Sequence, residues 1–102
     1  MIVVQGVLRL HLDDLKKARE IAAPFVRQTQ GENGCLSYAL AEDLMAPGLI
    51  HIIERWRDAA ALAAHRAAPH TAAFTAELPR LRILDLKIVD YRADDGQVAM
   101  GG

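Results

Sequence analysis

The segment Ile2–Leu10 alternates between two faces in a way that limits the folds open to this chain. One face carries Ile2, Val4, Gly6, Leu8 and Leu10, and the other carries Val3, Gln5, Val7 and Arg9. A period of two predicts a β-strand. Because apolar residues occur on both faces, the strand needs cover on both sides, which a sheet with one solvated face would not need.

Similar patterns predict the remaining elements. A helix follows Asp13, which is expected to cap it, and Asp58 is expected to cap a second helix. The predicted elements in order are a strand at 2–10, a helix ending near Gly31, strands at 35–41 and 49–56, short helices at 59–66 and from Pro69, and a strand at 83–91. This order predicts an α+β fold of ferredoxin-like type, β-α-β-β-α-β, with helices on one face of a four-stranded antiparallel sheet.

The size and composition of the chain predict a partner for the other sheet face. A chain of 102 residues makes one domain with a modest core. We expect this domain to span residues 1–93 and the residues 94–102 to form a flexible tail. Only five residues are aromatic although 52% are hydrophobic, so a second apolar surface is expected to meet another chain. A homodimer formed through the open sheet face is the simplest solution.

Charge and cysteine content exclude several classes of function. Twelve basic and thirteen acidic residues give a net charge of −1, which disfavours nucleic acid as a partner. Cys35 is the single cysteine, so neither an internal disulfide nor a cysteine metal cluster is expected. No apolar run approaches the roughly 20 residues that span a bilayer. The absence of a signal-peptide pattern at the N-terminus and the lone cysteine favour a cytoplasmic protein without a membrane partner.

The end of the third strand carries the first candidate catalytic group. Glu54 and Trp56 lie two residues apart, so their side chains share one face with two isoleucines. A carboxylate in an apolar environment is desolvated, which raises its pKa and suits it to act as a general base or acid. The alternative is that Glu54 supports the fold through an ion pair with Arg9, Arg55 or a histidine.

The second candidate is His65, which lies among alanines near the end of a helix. Imidazole exchanges protons near neutral pH, and small neighbours leave room beside the ring. His65 could instead interact with the terminal carbonyls of its helix. Tyr38 is a candidate hydrogen-bond donor to a substrate, and Trp56 is a candidate for one wall of the substrate pocket. Both residue types are, however, often part of a core. His70 is a candidate partner at the start of the next helix, or an exposed residue.

No cofactor is expected from the sequence. The four histidines share no short spacing of the kind that holds a metal, so the prediction is metal-free. Gly31 and Gly34 end a helix and are weak evidence for a phosphate-binding loop. Cys35 is expected on the strand face opposite Tyr38, as a small packed hydrophobe rather than a nucleophile.

The segment Asn33-Gly34-Cys35-Leu36-Ser37-Tyr38, followed by Glu54-Arg55-Trp56, an Ala-rich stretch and His65, resembles the antibiotic biosynthesis monooxygenase (ABM) domain family. The resemblance covers about Met1 to Ala93. It implies two sheets packed face to face as a dimeric α+β barrel. It also implies a cofactor-independent monooxygenase that acts on a hydroquinone or polyphenol with dioxygen. In such an enzyme His65 or Glu54 would be the base, and Tyr38, Trp56 and His70 would contact the substrate.

The sequence is also compatible with two other functions. The same base could serve an isomerase of a small carbonyl compound, and the fold also suits a non-catalytic ligand-binding or structural dimer. Haem degradation is less favoured, because the first strand offers Gln5 and Gly6 where such members carry asparagine. A cavity of roughly 300 Å³ or more lined by Glu54, Tyr38 and His65 would favour catalysis over a structural role.

Overall fold

The computed structural model describes the whole chain, residues 1–102, and confirms the predicted α+β architecture. The elements are β1 (Ile2–Leu10), α1 (Leu15–Gln30), β2 (Cys35–Glu42), β3 (Leu49–Trp56), α2 (Ala59–Ala67), α3 (Pro69–Glu77) and β4 (Ile83–Arg92), with single 3₁₀ turns at Leu12–Asp14 and Leu78–Arg80. The four strands form one antiparallel sheet in the order β2-β3-β1-β4. This is the ferredoxin-like arrangement. None of the helices is long and apolar enough to cross a membrane.

The core lies between the helices and one face of the sheet. Val4 and Trp56, from the two central strands, are fully buried there. A first core cluster joins them to Phe25, Tyr38, Ala61 and Leu62. A second cluster, at the other end of the sheet, consists of Leu10, Ala18, Ile50 and Leu81. The candidate site residues belong to the end of the sheet that holds the first cluster.

The start of α1 differs from the prediction that Asp13 caps the helix. The backbone N–H of Asp13 donates to His11 Nδ1 at 3.1 Å, and the helix begins only at Leu15. The carboxylate of Asp14 accepts hydrogen bonds from the backbone N–H of Arg82 at 2.8 Å and from its guanidinium at 3.0 Å. The predicted Asp13 cap is therefore wrong. The predicted Asp58 cap is confirmed, since its side chain accepts from the backbone N–H of Ala61 at 2.8 Å.

A register shift at the start of β2 corrects the predicted orientation of Cys35. Cys35 pairs with Trp56 and Ser37 pairs with Arg55, so one extra residue lies between the two pairs. Such a β-bulge interrupts the alternation of side chains. Cys35 packs against the core cluster that contains Trp56 and Tyr38, not on the opposite face, and Leu36 is exposed.

The sheet face opposite the helices is open. It carries apolar side chains of β1, β3 and β4, among them Val7, Ile53, Val89 and Tyr91, and Ile53 remains 45% exposed. A shallow groove of about 380 Å³ follows these residues. The strands therefore have the two apolar faces that their sequence pattern predicted, and the helices of this chain cover only one.

Candidate functional site

Glu32, His65 and His70 form a cluster of polar side chains at the edge of the first core cluster. Glu32 lies in the turn at residues 31–34 after α1, His65 lies on α2, and His70 lies in the first turn of α3. One carboxylate oxygen, Glu32 Oε2, is 2.6 Å from His65 Nδ1 and 3.1 Å from His70 Nε2. His65 is only 5% exposed, whereas Glu32 and His70 are partly exposed. A single carboxylate thus contacts two imidazoles that belong to different helices.

The backbone around Gly34 places Glu32 against α2. Gly34 has φ of +85°, a conformation that is easy only for glycine, and a Cβ atom there would lie 2.6 Å from the Cβ of Ala61. The carbonyl of Gly34 accepts a 2.8 Å hydrogen bond from the backbone N–H of Arg57. Asp58 then caps α2, and Pro69 starts α3 directly after it. These local features bring the turn with Glu32 close to the helices that carry the two histidines.

Aromatic rings surround His65 on several sides. The ring centroid of His65 lies 4.7 Å from that of Trp56 and 5.7 Å from those of Tyr38 and Phe25. Phe25 also lies 5.9 Å from His70 and stacks on Phe74, with 4.1 Å between the ring centroids. The imidazole of His65 therefore has an apolar environment, and its Nδ1 faces a carboxylate.

Glu54 is buried beside this cluster and is 6% exposed. It accepts a 2.8 Å hydrogen bond from Trp56 Nε1–H. Burial raises the pKa of Glu54, and the hydrogen bond from Trp56 and the electrostatic interactions with His65 and Arg66 offset part of that rise. Burial also raises the pKa of the Tyr38 phenol, with the Glu54 carboxylate as a smaller cause. Tyr38 is therefore a neutral phenol that can donate a hydrogen bond.

A separate apolar cavity of about 330 Å³ lies between α1, α3 and the sheet. Most of the residues that line it are hydrophobic, including Leu8, Ala22, Val26, Leu40, Ile50 and Phe74. Glu54, Tyr38 and His65 do not line this cavity. Two aromatic side chains connect the cavity with the cluster around His65. Phe74 lines the cavity and stacks on Phe25, which packs against His65.

The structure brings together the predicted residues His65, His70, Tyr38, Glu54 and Trp56, whose roles stay predictions. Trp56 is fully buried and its indole N–H bonds to Glu54. It does not line the apolar cavity. Three further residues of the site carried no signal of their own in the sequence, namely Glu32, Phe25 and Phe74. Glu32 lies in a Gly-x-x-Gly turn, and only the long-range packing of that turn on α2 shows what its carboxylate contacts.

Comparisons with known proteins agree on the family of the chain. The family model described as antibiotic biosynthesis monooxygenase matches residues 1–77. An uncharacterized protein from Synechocystis sp. is 28% identical over 96 residues, which cover 94% of this chain and 65% of that protein. The chain therefore spans less than two thirds of the length of this relative.

Solved structures share the fold over nearly the whole chain. A presumed antibiotic biosynthesis monooxygenase from Deinococcus radiodurans is 32% identical with a TM-score of 0.91, and the match covers 99% of this chain and 100% of that one. The protein Rv0793 from Mycobacterium tuberculosis is 25% identical with a TM-score of 0.84, and the match covers 95% and 98% of the two chains. The similarity extends beyond the matched residues 1–77 to include β4.

Proposed function

Because the chain belongs to the antibiotic biosynthesis monooxygenase family, we propose that it is a cofactor-independent monooxygenase for a small hydroxylated aromatic compound, such as a hydroquinone or polyphenol. The family supports monooxygenase chemistry, and the aromatic substrate is our own inference. It rests on the aromatic surroundings of His65 and on the apolar cavity beside them.

The observation that carries this proposal is the 2.6 Å contact between Glu32 Oε2 and His65 Nδ1. We assign the proton of the neutral imidazole to Nδ1, which then donates to the carboxylate. Nε2 keeps its lone pair and can accept a proton, and Glu32 stabilises the imidazolium that forms. Glu32 is thus a positioning residue and His65 is the base. Glu54 is the second candidate base that the sequence indicated, although its buried carboxylate is already bonded to Trp56.

The reaction needs no external reductant. His65 removes a phenolic proton, and the electron-rich phenolate transfers one electron to dioxygen. The resulting superoxide and phenoxyl radical combine to form a carbon–oxygen bond at a ring carbon that carries hydrogen, and the peroxide anion takes the proton back from His65 to give a hydroperoxide. Loss of water from this hydroperoxide leaves a quinone, so that one phenol and one O₂ give one quinone and one H₂O. A dry apolar pocket and a hydrogen-bond donor such as Tyr38 favour the anionic intermediate.

The substrate would occupy the apolar cavity and reach His65 past the Phe25–Phe74 pair. The cavity volume of about 330 Å³ is at the lower end of the range for small-molecule pockets. Movement of the Phe74 ring would join the cavity to the space beside His65 and His70. We propose that His70 contacts the substrate there. Trp56 supports the site through its hydrogen bond to Glu54.

A homodimer through the open sheet face completes the proposed enzyme. The open face carries exposed apolar residues that the helices of the same chain do not cover. A second copy placed sheet to sheet would bury this face on both chains. The fold itself supports the proposal, because an apolar sheet face left in water is unfavourable.

Oxygen consumption by the metal-stripped full chain tests the function. We expect uptake with at least one member of a panel of hydroquinones and polyphenols, and a loss of about 10²-fold or more in the His65→Ala variant. Glu32→Gln should lower kcat and shift the pH profile. His11→Ala is the matched control, because His11 also lies near a carboxylate, Asp13 at 3.8 Å, at the end of β1 away from the site. Equal uptake by wild type and His65→Ala would overturn the assignment of the base.

A ligand-binding role without catalysis is the second candidate. It is favoured by the position of the apolar cavity, since none of Glu54, Tyr38 and His65 lines it. In this case an apolar ligand would bind with no oxygen uptake, and Ala22→Phe, which fills the cavity, would abolish binding. The His65→Ala variant would bind the ligand as tightly as wild type. Ligand turnover that depends on His65 would exclude this role.

A further inference from the structure

The three polar side chains of the site also have the composition of a metal-binding site. Glu32, His65 and His70 each offer one ligand atom, and these atoms all lie within 4.8 Å of one another. Two imidazoles and one carboxylate are a ligand set for divalent transition metals, whereas Mg²⁺ and Ca²⁺ prefer oxygen ligands only. We propose that Glu32, His65 and His70 bind one divalent transition cation of the Zn²⁺, Co²⁺ or Ni²⁺ type. This site goes beyond the proposed oxygenase function, which requires no metal.

Small movements would convert the hydrogen-bonded cluster into a coordination sphere. Ligand bonds of about 2.0–2.1 Å in tetrahedral geometry separate neighbouring ligand atoms by about 3.3 Å. Glu32 Oε2 now lies 2.6 Å from His65 Nδ1 and 3.1 Å from His70 Nε2, so it must withdraw by less than about 1 Å. Its long side chain in a turn allows this withdrawal, and the two imidazole nitrogens, which lie within 4.8 Å of each other, must also reach this separation. The cation would enter where the two hydrogen-bonded protons now lie, and each neutral imidazole would then carry its proton on its other ring nitrogen.

The charges around the cluster favour a cation. Glu32 is a ligand, and the buried Glu54 carboxyl group lies close enough to His65 for an electrostatic interaction. Arg66, which interacts with Glu54, is paired with Asp90 through bonds of 2.6 and 2.7 Å. Arg57, which donates to Asn33 beside Glu32, is paired with Asp58 at 3.3 Å. Two carboxyl groups thus lie near the cluster, and both nearby arginines are paired with aspartates.

The surroundings also indicate an open site of moderate affinity. Three protein ligands leave at least one position for water, which is the pattern of catalytic or regulatory sites and not of closed structural ones. Neither His65 Nε2 nor His70 Nδ1 makes a hydrogen bond to a protein atom. In tight metal sites, a ligating histidine usually donates the N–H of its other ring nitrogen to a second group. We therefore expect an exchangeable cation.

Metal binding and the proposed proton transfer exclude each other. A cation on His65 Nδ1 takes the position of the proton that Glu32 holds there, so the neutral imidazole carries its proton on Nε2. Nε2 then has no lone pair with which to accept a phenolic proton. If the proposed function holds, Zn²⁺ would inhibit oxygen uptake, and a chelator would restore it. This consequence depends on the proposed function, but the binding site itself does not.

Titration of the metal-stripped full chain with Co²⁺ tests the site without any substrate. The visible absorption of Co²⁺ reports its coordination, and we expect one equivalent to bind at micromolar protein concentration, with Zn²⁺ displacing it and Mg²⁺ having no effect. Glu32→Gln and His70→Ala should each weaken binding more than about tenfold. His11→Ala, which removes a histidine from an exposed His–Asp pair, should leave the affinity unchanged.

The outcomes separate this site from the proposed function. Stoichiometric binding that Glu32→Gln and His70→Ala both weaken supports the site, even if no oxygen uptake is found. Oxygen uptake that depends on His65 supports the function, even if Co²⁺ does not bind. Absent binding, or binding that either variant leaves unchanged, would overturn the site. Because His70 and Glu32 are partly exposed, these variants are expected to fold, and circular dichroism verifies this.

Discussion

The indole N–H of Trp56 donates a 2.8 Å hydrogen bond to Glu54, two residues earlier on the same face of β3, and both side chains are buried. The pairing satisfies two polar groups that would otherwise be costly inside the protein. It does not provide a positive charge, so the cost of burying an ionised carboxylate is only partly offset. Burial therefore raises the pKa of Glu54, and its stability contribution depends on pH.

Glu54→Gln is expected to become more stable than wild type as the pH rises. A carboxyl group with a raised pKa binds its proton more tightly in the folded state, so wild type loses stability as pH rises from the unfolded pKa of about 4.3 through the folded pKa. Glutamine resembles the protonated acid and still accepts from Trp56. Urea unfolding at pH 4 and pH 8 should show a difference that grows with pH.

Glu54→Ala is the control for this prediction. It removes the acceptor and leaves the N–H of Trp56 unpaired in the core, at a cost of about 1–3 kcal/mol in addition to the cavity left behind. This variant should be less stable than Glu54→Gln at both pH values. A Gln variant that loses stability relative to wild type toward pH 8 would contradict the raised pKa.

Gly34→Ala is expected to destabilise the fold by about 2–4 kcal/mol, since an alanine would combine a left-handed backbone with a close contact to Ala61. Gly31→Ala is the matched control, because Gly31 has φ of −87° and a Cβ there would make only an ordinary 3.5 Å contact with the Gln28 carbonyl oxygen. In a double-mutant cycle, Ala61→Gly should recover part of the loss. Denaturant midpoints are measured for wild type, the two glycine variants, Ala61→Gly and the double variant. Equal effects at the two glycines would contradict the close approach of the turn to α2.

Asp14→Asn is expected to be less stable than wild type at pH 7, by a difference that shrinks as the pH falls below about 3.9. The Arg82 guanidinium and backbone N–H hold the pKa of Asp14 well below its usual range. A depressed pKa contributes stability above the unfolded value of about 3.9, and this contribution is lost as pH falls. Glu42→Gln, which breaks the exposed pair with Arg19, should change stability by less than about 1 kcal/mol. A difference that stays constant down to pH 3 would contradict this linkage.

Ile53→Glu is expected to convert a dimer into a monomer of 11.2 kDa. Ile53 lies on the open face of the central strand β3, where a sheet-to-sheet partner would bury the introduced charge. Leu44→Glu is the control, because Leu44 is 97% exposed in the loop between β2 and β3. Sedimentation at micromolar concentration distinguishes the two species. A wild-type monomer would contradict the proposed interface.

Local patterns predicted the elements well. The alternation in Ile2–Leu10 corresponds to β1, and the segment at 49–56 corresponds to β3, because the period of two follows from strand geometry alone. Asp58 caps α2 as predicted, since an N-cap needs only the first amides of its own helix. The prediction failed at Asp13, where the neighbouring Asp14 binds Arg82, 68 residues away.

Strand pairing decided features that alternation could not predict. A regular strand would place Cys35 opposite Tyr38, but the bulge against Arg55 and Trp56 moves Cys35 to the core side. The same limitation applies to the site. His65, Glu54 and Tyr38 were candidates because their residue types suit proton transfer, but nothing local indicated that Glu32 would contact both His65 and His70.

The sequence by itself determined the order of the elements, the ferredoxin-like fold and the two apolar faces of the sheet, because each depends on periodicity within a few residues. Only the tertiary structure decided which carboxylate meets which imidazole. The contact between Glu32 and His65 joins positions 33 residues apart, and it depends on how closely the Gly34 turn packs on α2. Such distances follow from packing between elements, which no pattern within one element contains.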